Sequence, residues 1–135
     1  MVVKVNRFLR VIFFGILIWL IPFLISFLFL DMEGNFIIPE TFFKSIMIVV
    51  GSFVAIILSV KYYKSIKNDF VQEGIILGIS WFIISIALDL VMVFSNFFQV
   101  TVLEYFTDIG LRYLCIPIFT IGLGYALNQK KVSNV

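Results

Sequence analysis

Residues 71–94 read "VQEGIILGISWFIISIALDLVMVF", and this stretch decides the fold of the chain. A helix of this length rises about 1.5 Å per residue and so crosses the ~30 Å hydrocarbon core of a bilayer. In lipid the stretch must be helical, because its backbone groups find no water to pair with. Three more stretches have similar length and character, at residues 8–30, 42–63 and 105–127. We therefore predict an all-α membrane protein with four transmembrane helices, in a single domain covering residues 1–135.

The composition agrees with a location in the membrane. Of the 135 residues, 62% are hydrophobic and 13% are charged, which is more apolar material than a soluble domain of this size can bury. There is no histidine and one cysteine, Cys115, so zinc sites, cysteine–histidine nucleophile pairs and internal disulfides are excluded. No other nucleophile and base pair is visible. We expect no cofactor, no metal and no enzymatic activity.

The basic residues predict how the helices are oriented. If successive helices alternate in direction, eight of the ten basic residues fall on one side: Lys4, Arg7, Arg10, Lys61, Lys64, Lys67, Lys130 and Lys131. By the positive-inside rule this side is cytoplasmic. We therefore predict a multi-pass protein of the cell membrane with both termini in the cytoplasm. Short loops favour a sequential antiparallel bundle. Because topology accounts for these charges, we expect the lipid bilayer as a partner and no nucleic acid.

One carboxylate, Asp89, lies deep within the third segment. Successive helical residues turn by ~100°, which places Asp89 on the same face as Gly74, Gly78 and Trp81 and predicts that it points into the bundle. The only cation inside a later hydrophobic segment is Arg112. Both residues lie ~24 Å from the cytoplasmic ends of their helices, so we predict an Asp89–Arg112 ion pair in the outer half of the membrane.

The same region has two functional interpretations. Ionisable residues within a membrane often mark the path of an ion or solute. Asp108 lies one helical turn outward from Arg112, so a substrate site formed by Asp89, Arg112, Asp108 and Trp81 would open outward. The protein would then be a small transporter or solute-binding membrane protein, with an unknown solute. Alternatively, it is a structural or regulatory subunit of a membrane complex, whose Asp89–Arg112 pair only fixes helix packing.

Small residues predict where helices approach closely. Gly74 and Gly78 form a GxxxG motif, and Gly51 and Ala55 begin a similar stripe on the second helix. We predict that these four residues pack helices within the chain. A homo-oligomer formed through the same small-residue faces is the alternative.

Two further expectations concern the ends of the third segment. Glu73 is expected to be a solvated carboxylate at the helix N-terminus, beside Lys67. Phe97 and Phe98 follow the segment and are expected to dip into the membrane interface.

The runs "EGIILGISWFIISIALDLVMVF" and "DIGLRYLCIPIFTIGLGYAL" resemble a type of small prokaryotic four-helix integral membrane protein that is uncharacterised. The resemblance covers the second half of the chain and implies a four-helix fold but no activity. Small multidrug exporters are similar in size and carry a membrane-embedded glutamate in their first helix. Here no acidic residue lies between Arg10 and Leu30, so that assignment is not supported.

Overall fold

The computed structural model describes residues 2–96 and 100–134, and most of them are helical. Helix α1 spans Val2–Ser26 and continues into a 3-10 turn, Phe27–Phe29; α2 spans Glu40–Tyr63, α3 Phe70–Phe94 and α4 Val102–Asp108; a second 3-10 turn, Gly110–Leu114, leads into α5, Cys115–Ser133. The expectation for Phe97 and Phe98 concerns a segment outside the described residues.

Four helical stretches in the described part of the chain are long and apolar enough to cross a membrane. They are Asn6–Phe29, Glu40–Tyr63, Phe70–Phe94 and Gly110–Ser133. Large apolar side chains on these helices face outward; Phe53, Ile83 and Ile118 are 65%, 58% and 66% exposed. A soluble monomer rarely exposes apolar surface on this scale, whereas a lipid-facing surface does. The prediction of an all-α chain with four helices of this kind is confirmed.

The four long helices contact one another in the cyclic order α1, α2, α5, α3. The most extensive contact joins α3 to α5, and the next joins α1 to α3. Although α2 and α3 are consecutive in the chain, they share little contact and lie across the assembly from each other. Neighbours in sequence are thus not always neighbours in space, contrary to the simplest sequential arrangement.

Two glycines on α3 permit the close approach of α5. A Cβ atom added at Gly78 would lie 2.6 Å from the Cα atom of Pro117, and one added at Gly74 would lie 2.6 Å from the carbonyl oxygen of Thr120. The Thr120 hydroxyl donates a hydrogen bond to the Gly74 carbonyl across 2.9 Å. Backbone contact of this kind is what small-xxx-small motifs provide in membranes.

The fourth apolar segment is interrupted, so the prediction of one continuous helix over 105–127 is wrong. Thr101 and Glu104 form a reciprocal capping box that starts the short helix α4 before that range. The backbone then leaves helical geometry at Ile109 (φ −120°, ψ −49°), next to Gly110. Pro117 has no N–H with which to continue the α-helical ladder backward into the 3-10 turn. These local features favour a break, which hydrophobicity alone does not reveal.

The loop between α1 and α2 is folded back on itself. The Asp31 carboxylate accepts the backbone N–H groups of Glu33 and Asn35 at 2.9 and 2.8 Å. Gly34 has a φ of +85°, a conformation that favours glycine. Phe36 packs against Phe43 of α2, with ring centroids 4.7 Å apart. The loop is therefore held close to the beginning of α2.

Candidate functional site

Three hydrogen-bond donors surround the carboxylate of Asp89. The indole N–H of Trp19 donates to Oδ1 at 2.5 Å, and the hydroxyls of Tyr105 and Tyr113 donate to Oδ2 at 2.8 and 2.6 Å. Asp89 itself is 3% exposed. A buried carboxylate without partners is very costly, and three donors offset much of that cost.

Each donor comes from a different element, which the break in the fourth segment makes possible. Trp19 lies on α1, Tyr105 on α4 and Tyr113 in the 3-10 turn before α5. In an uninterrupted helix, residues eight positions apart would be separated by ~12 Å along the axis. Because the chain bends at Ile109, both tyrosines reach the same oxygen of Asp89.

Burial and the neighbouring charge of Asp89 both raise the pKa of the Tyr105 phenol. The hydroxyl therefore stays protonated over the physiological range and remains a donor. Tyr105 is fully buried, as expected for a residue in the interior of the site.

A cavity of about 1110 Å³ lies beside this carboxylate, between α1, α2, α4 and the start of α5. Asp89, Trp19, Tyr105 and Tyr113 are among its lining residues, and so are loop residues 31–36. The volume lies slightly above the usual range of about 300–1,000 Å³ for small-molecule sites. The cavity walls are aromatic, with Phe23, Phe27, Phe36, Phe43 and Phe119 among the lining residues.

Charged side chains line the cavity, with acids in excess. The acidic members are Asp31, Glu33, Glu40, Asp89, Glu104 and Asp108, and the basic members are Lys44 and Arg112. The ammonium group of Lys44 lies 2.7 Å from Glu40 and 3.0 Å from Asp108, so it is already neutralised. Arg112 is half-buried in the wall.

The predicted ion pair between Asp89 and Arg112 is wrong. Among the ion pairs of the described residues, none contains either side chain, and the oxygens of Asp89 accept from neutral donors instead. Asp108 contacts Lys44 and not Arg112. Asp89 and Arg112 both line the same cavity. The prediction assumed a continuous fourth helix, and the break at Ile109 changes the direction in which the Arg112 side chain leaves the backbone.

Trp81 is not part of the cavity lining. It is fully buried against α1, where its indole N–H donates to the Val11 carbonyl across 2.9 Å. Gly15 lies next to its ring, since an added Cβ there would lie 3.0 Å from the indole. Trp19 lies one helical turn after Gly15 on α1 and lines the cavity, where Trp81 was predicted.

Of the second-helix pair predicted to pack helices, only Ala55 is buried, at 1% exposed. A Cβ added at Gly51 would meet no atom within 4 Å. Both residues line the cavity. Gly51 therefore widens the cavity and does not bring two helices together.

Ser85 lies one turn from Asp89 on α3 and is also fully buried. Its hydroxyl is the one buried side-chain polar atom that finds no hydrogen-bond partner among the described residues. Within that same part of the chain, no group of three or more metal-ligating side chains occurs.

A second buried carboxylate, Glu73, lies at the opposite end of the helices. It is 6% exposed, accepts from the Tyr62 hydroxyl at 2.7 Å and pairs with Arg7 at 2.9 Å. The expectation of a solvated cap beside Lys67 is wrong. Arg7 from α1 reaches Glu73 because α1 and α3 are packed together.

Sequence reasoning missed three residues of the site: Trp19, Tyr105 and Tyr113. Their signal was a polar tip on an aromatic ring inside or beside an apolar segment, since buried Tyr and Trp usually find a hydrogen-bond partner.

In comparisons with protein-family models, with curated proteins and with solved structures, no match was found.

Proposed function

We propose that this chain is a small integral membrane protein that binds, and carries across the bilayer, a small solute entering the cavity above Asp89. One observation carries the proposal: a cavity of about 1110 Å³ reaches a buried carboxylate between helices long enough to span a membrane. Intramembrane ionisable residues beside a cavity are typical of solute and ion paths.

The proposed orientation puts both termini in the cytoplasm, in a bundle whose successive spans alternate in direction. The charge asymmetry of the loops supports it. The loop at residues 31–36 contributes to the cavity and would then lie on the non-cytoplasmic side. The solute would enter from outside the cell.

The lining favours a solute that carries a positive charge. Six carboxylate side chains face the cavity against two cations, and one of those cations is neutralised by Glu40 and Asp108. Aromatic rings also attract organic cations through their π faces. Arg112, which forms no ion pair with the residues that the structure describes, would suit a zwitterion, whose carboxylate it could bind with two parallel hydrogen bonds.

The alternative is a structural or regulatory subunit of a membrane complex. In its favour, the donors around Asp89 all come from the protein itself and join α1, α3, α4 and the second 3-10 turn. Such a network fixes helix packing without any ligand. Association with other copies through Gly74 and Gly78 is disfavoured, because α5 already occupies that face.

Uptake by reconstituted protein separates the two functions. Liposomes containing the wild type would be screened with radiolabelled tetraethylammonium, glycine betaine and glutamate, as cationic, zwitterionic and anionic probes. We expect uptake of a positively charged probe above protein-free liposomes. We also expect Asp89→Asn to lower it by at least about tenfold, the factor that corresponds to one lost charge-assisted contact.

The matched control is Tyr125→Phe, since Tyr125 is 58% exposed and does not line the cavity. Arg112→Gln changes the cavity wall without removing an ion pair, and it should alter the ratio of betaine to tetraethylammonium uptake. If folded wild-type protein moves none of the three probes, the solute proposal fails and the structural role takes its place.

A further inference from the structure

A second pocket lies at the other end of the helices, where α1 begins and α2 ends. It has a volume of about 200 Å³ and is lined by Asn6, Arg7, Arg10, Ser65 and Ile66. Its polar groups are mostly hydrogen-bond donors, and two of its five residues are arginines. It shares no lining residue with the large cavity.

The pocket lies where two apolar helical stretches end, which is the level expected for a membrane surface. Arg10 directly precedes residues 11–30, an apolar run without any charged residue, and Ser65 comes two residues after the candidate span Glu40–Tyr63 ends. Both chain segments therefore leave the apolar region at this point. Phospholipid headgroups occupy this level on either side of the hydrocarbon core.

Arg10 is positioned to hold an anion there. Its guanidinium lies 5.7 Å from the ring centre of Phe14 and 6.0 Å from that of Tyr62, so two aromatic faces hold it in place. It forms no ion pair with any described residue. A guanidinium has five N–H donors, and here no carboxylate competes for them.

Arg7 adds a second, partly committed cation. One of its terminal nitrogens pairs with Glu73 at 2.9 Å, while the side chain remains 49% exposed. The buried carboxylate fixes the position of Arg7, and the other terminal nitrogen is left for a ligand. Arg7 and Arg10 are three residues apart on α1 and so face the same side of that helix.

Exposed apolar side chains on the same turns of α1 as the two arginines favour a lipid over a free anion. Phe8, Leu9 and Phe13 on α1 are 64%, 56% and 58% exposed and lie within or next to the membrane-spanning stretch. Acyl chains would cover these side chains while the headgroup reached the arginines. A soluble phosphate would use only the charged part of this surface.

We propose that the pocket formed by Asn6, Arg7, Arg10, Ser65 and Ile66 binds the phosphate group of an anionic membrane lipid. Basic pockets between transmembrane helices are the usual sites for such headgroups. The site is independent of the solute cavity. It would anchor α1 to the loop after α2 at the predicted cytoplasmic surface.

Native mass spectrometry of the detergent-solubilised full chain tests the proposal. Phosphatidylglycerol, phosphatidylcholine and inorganic phosphate would be added in separate titrations. We expect one phosphatidylglycerol to bind at least tenfold more tightly than phosphatidylcholine. We expect Arg10→Gln to abolish that preference, and Arg10→Lys to retain part of it because the charge is kept without the planar fork.

The matched control is Lys64→Gln, which removes one charge at the same end of α2 but outside the pocket. Its preference for phosphatidylglycerol should stay within about twofold of wild type. Equal binding of the two lipids, an unchanged preference in Arg10→Gln, or an equal loss in Lys64→Gln would overturn the site. Inorganic phosphate that displaces the lipid at similar concentration would show a general anion site and overturn the lipid assignment.

Discussion

The indole nitrogen of Trp19 lies 2.5 Å from Oδ1 of Asp89, although the two residues are 70 positions apart in the chain. This contact joins α1 to α3 in the wall of the large cavity. Trp19 also stacks on Phe23, with ring centroids 4.7 Å apart. The position of the carboxylate is therefore tied to the aromatic wall of the cavity.

Removing one of the side chains that donate a hydrogen bond to Asp89 should destabilise the fold. Tyr113→Phe deletes a hydroxyl that donates to Oδ2 at 2.6 Å, and we expect a loss of about 1–2 kcal/mol in the free energy of unfolding. Tyr125→Phe, at an exposed position, should stay within ~0.5 kcal/mol of wild type. Unfolding in mixed detergent micelles measures both. Equal effects of the two variants would mean that the hydrogen bond from Tyr113 to Asp89 does not stabilise the fold.

Asp89 and Arg112 should behave as energetically independent residues. Because no ion pair joins them, a double-mutant cycle with Asp89→Asn and Arg112→Gln should give a coupling energy within ~0.5 kcal/mol of zero. The same cycle with Asp89→Asn and Tyr113→Phe should give a clearly larger coupling. The reverse order would restore the ion pair that the sequence suggested.

Substitution by alanine should have different effects at a glycine in close helix contact and at a glycine with open space around it. Gly78→Ala places a Cβ 2.6 Å from the backbone of Pro117, so it should cost about 1–3 kcal/mol through overpacking. Gly122→Ala meets no atom within 4 Å and should be neutral or slightly stabilising, as expected in a helix. Thermal unfolding of the two variants checks this. A harmless Gly78→Ala would contradict the close contact of α3 with α5.

The proposed orientation has its own test. In a Cys115→Ala background, Glu33→Cys should react with a membrane-impermeant maleimide added to intact cells, because loop 30–39 is predicted outside. Ser65→Cys should react only after the cells are permeabilised. Labelling of position 65 from outside would indicate the opposite orientation. Equal labelling of both positions from one side would contradict the alternation of the helices across the membrane.

The sequence predicted the first three long helices well, because apolar length is a strong signal in a chain that must satisfy its backbone in lipid. It also predicted that Asp89, Gly74 and Gly78 share an inward face, and all three are buried. Such predictions need only the period of one helix.

The partners of Asp89 could not be predicted in the same way. They depend on how four helices are rotated about their axes, and on the break at Ile109 that brings Tyr105 and Tyr113 to the same oxygen. Pairing the only acid and base at equal depth ignored neutral donors. Tyrosine and tryptophan can satisfy the hydrogen-bonding capacity of a buried carboxylate, and they do not add a second buried charge.

The central claim, that an acid-rich cavity is open to water in the membrane, is tested most directly by the chain's own cysteine. Cys115 is a free, half-buried thiol that lines the cavity. The cationic reagent MTSET and its anionic counterpart MTSES would be applied to wild-type protein in liposomes, with each rate divided by that for free cysteine. We predict that Cys115 reacts with both and roughly tenfold faster with MTSET, because the surrounding carboxylates concentrate cations. A thiol that neither reagent reaches until the protein is unfolded, or one that MTSES modifies at least as fast, would contradict the account.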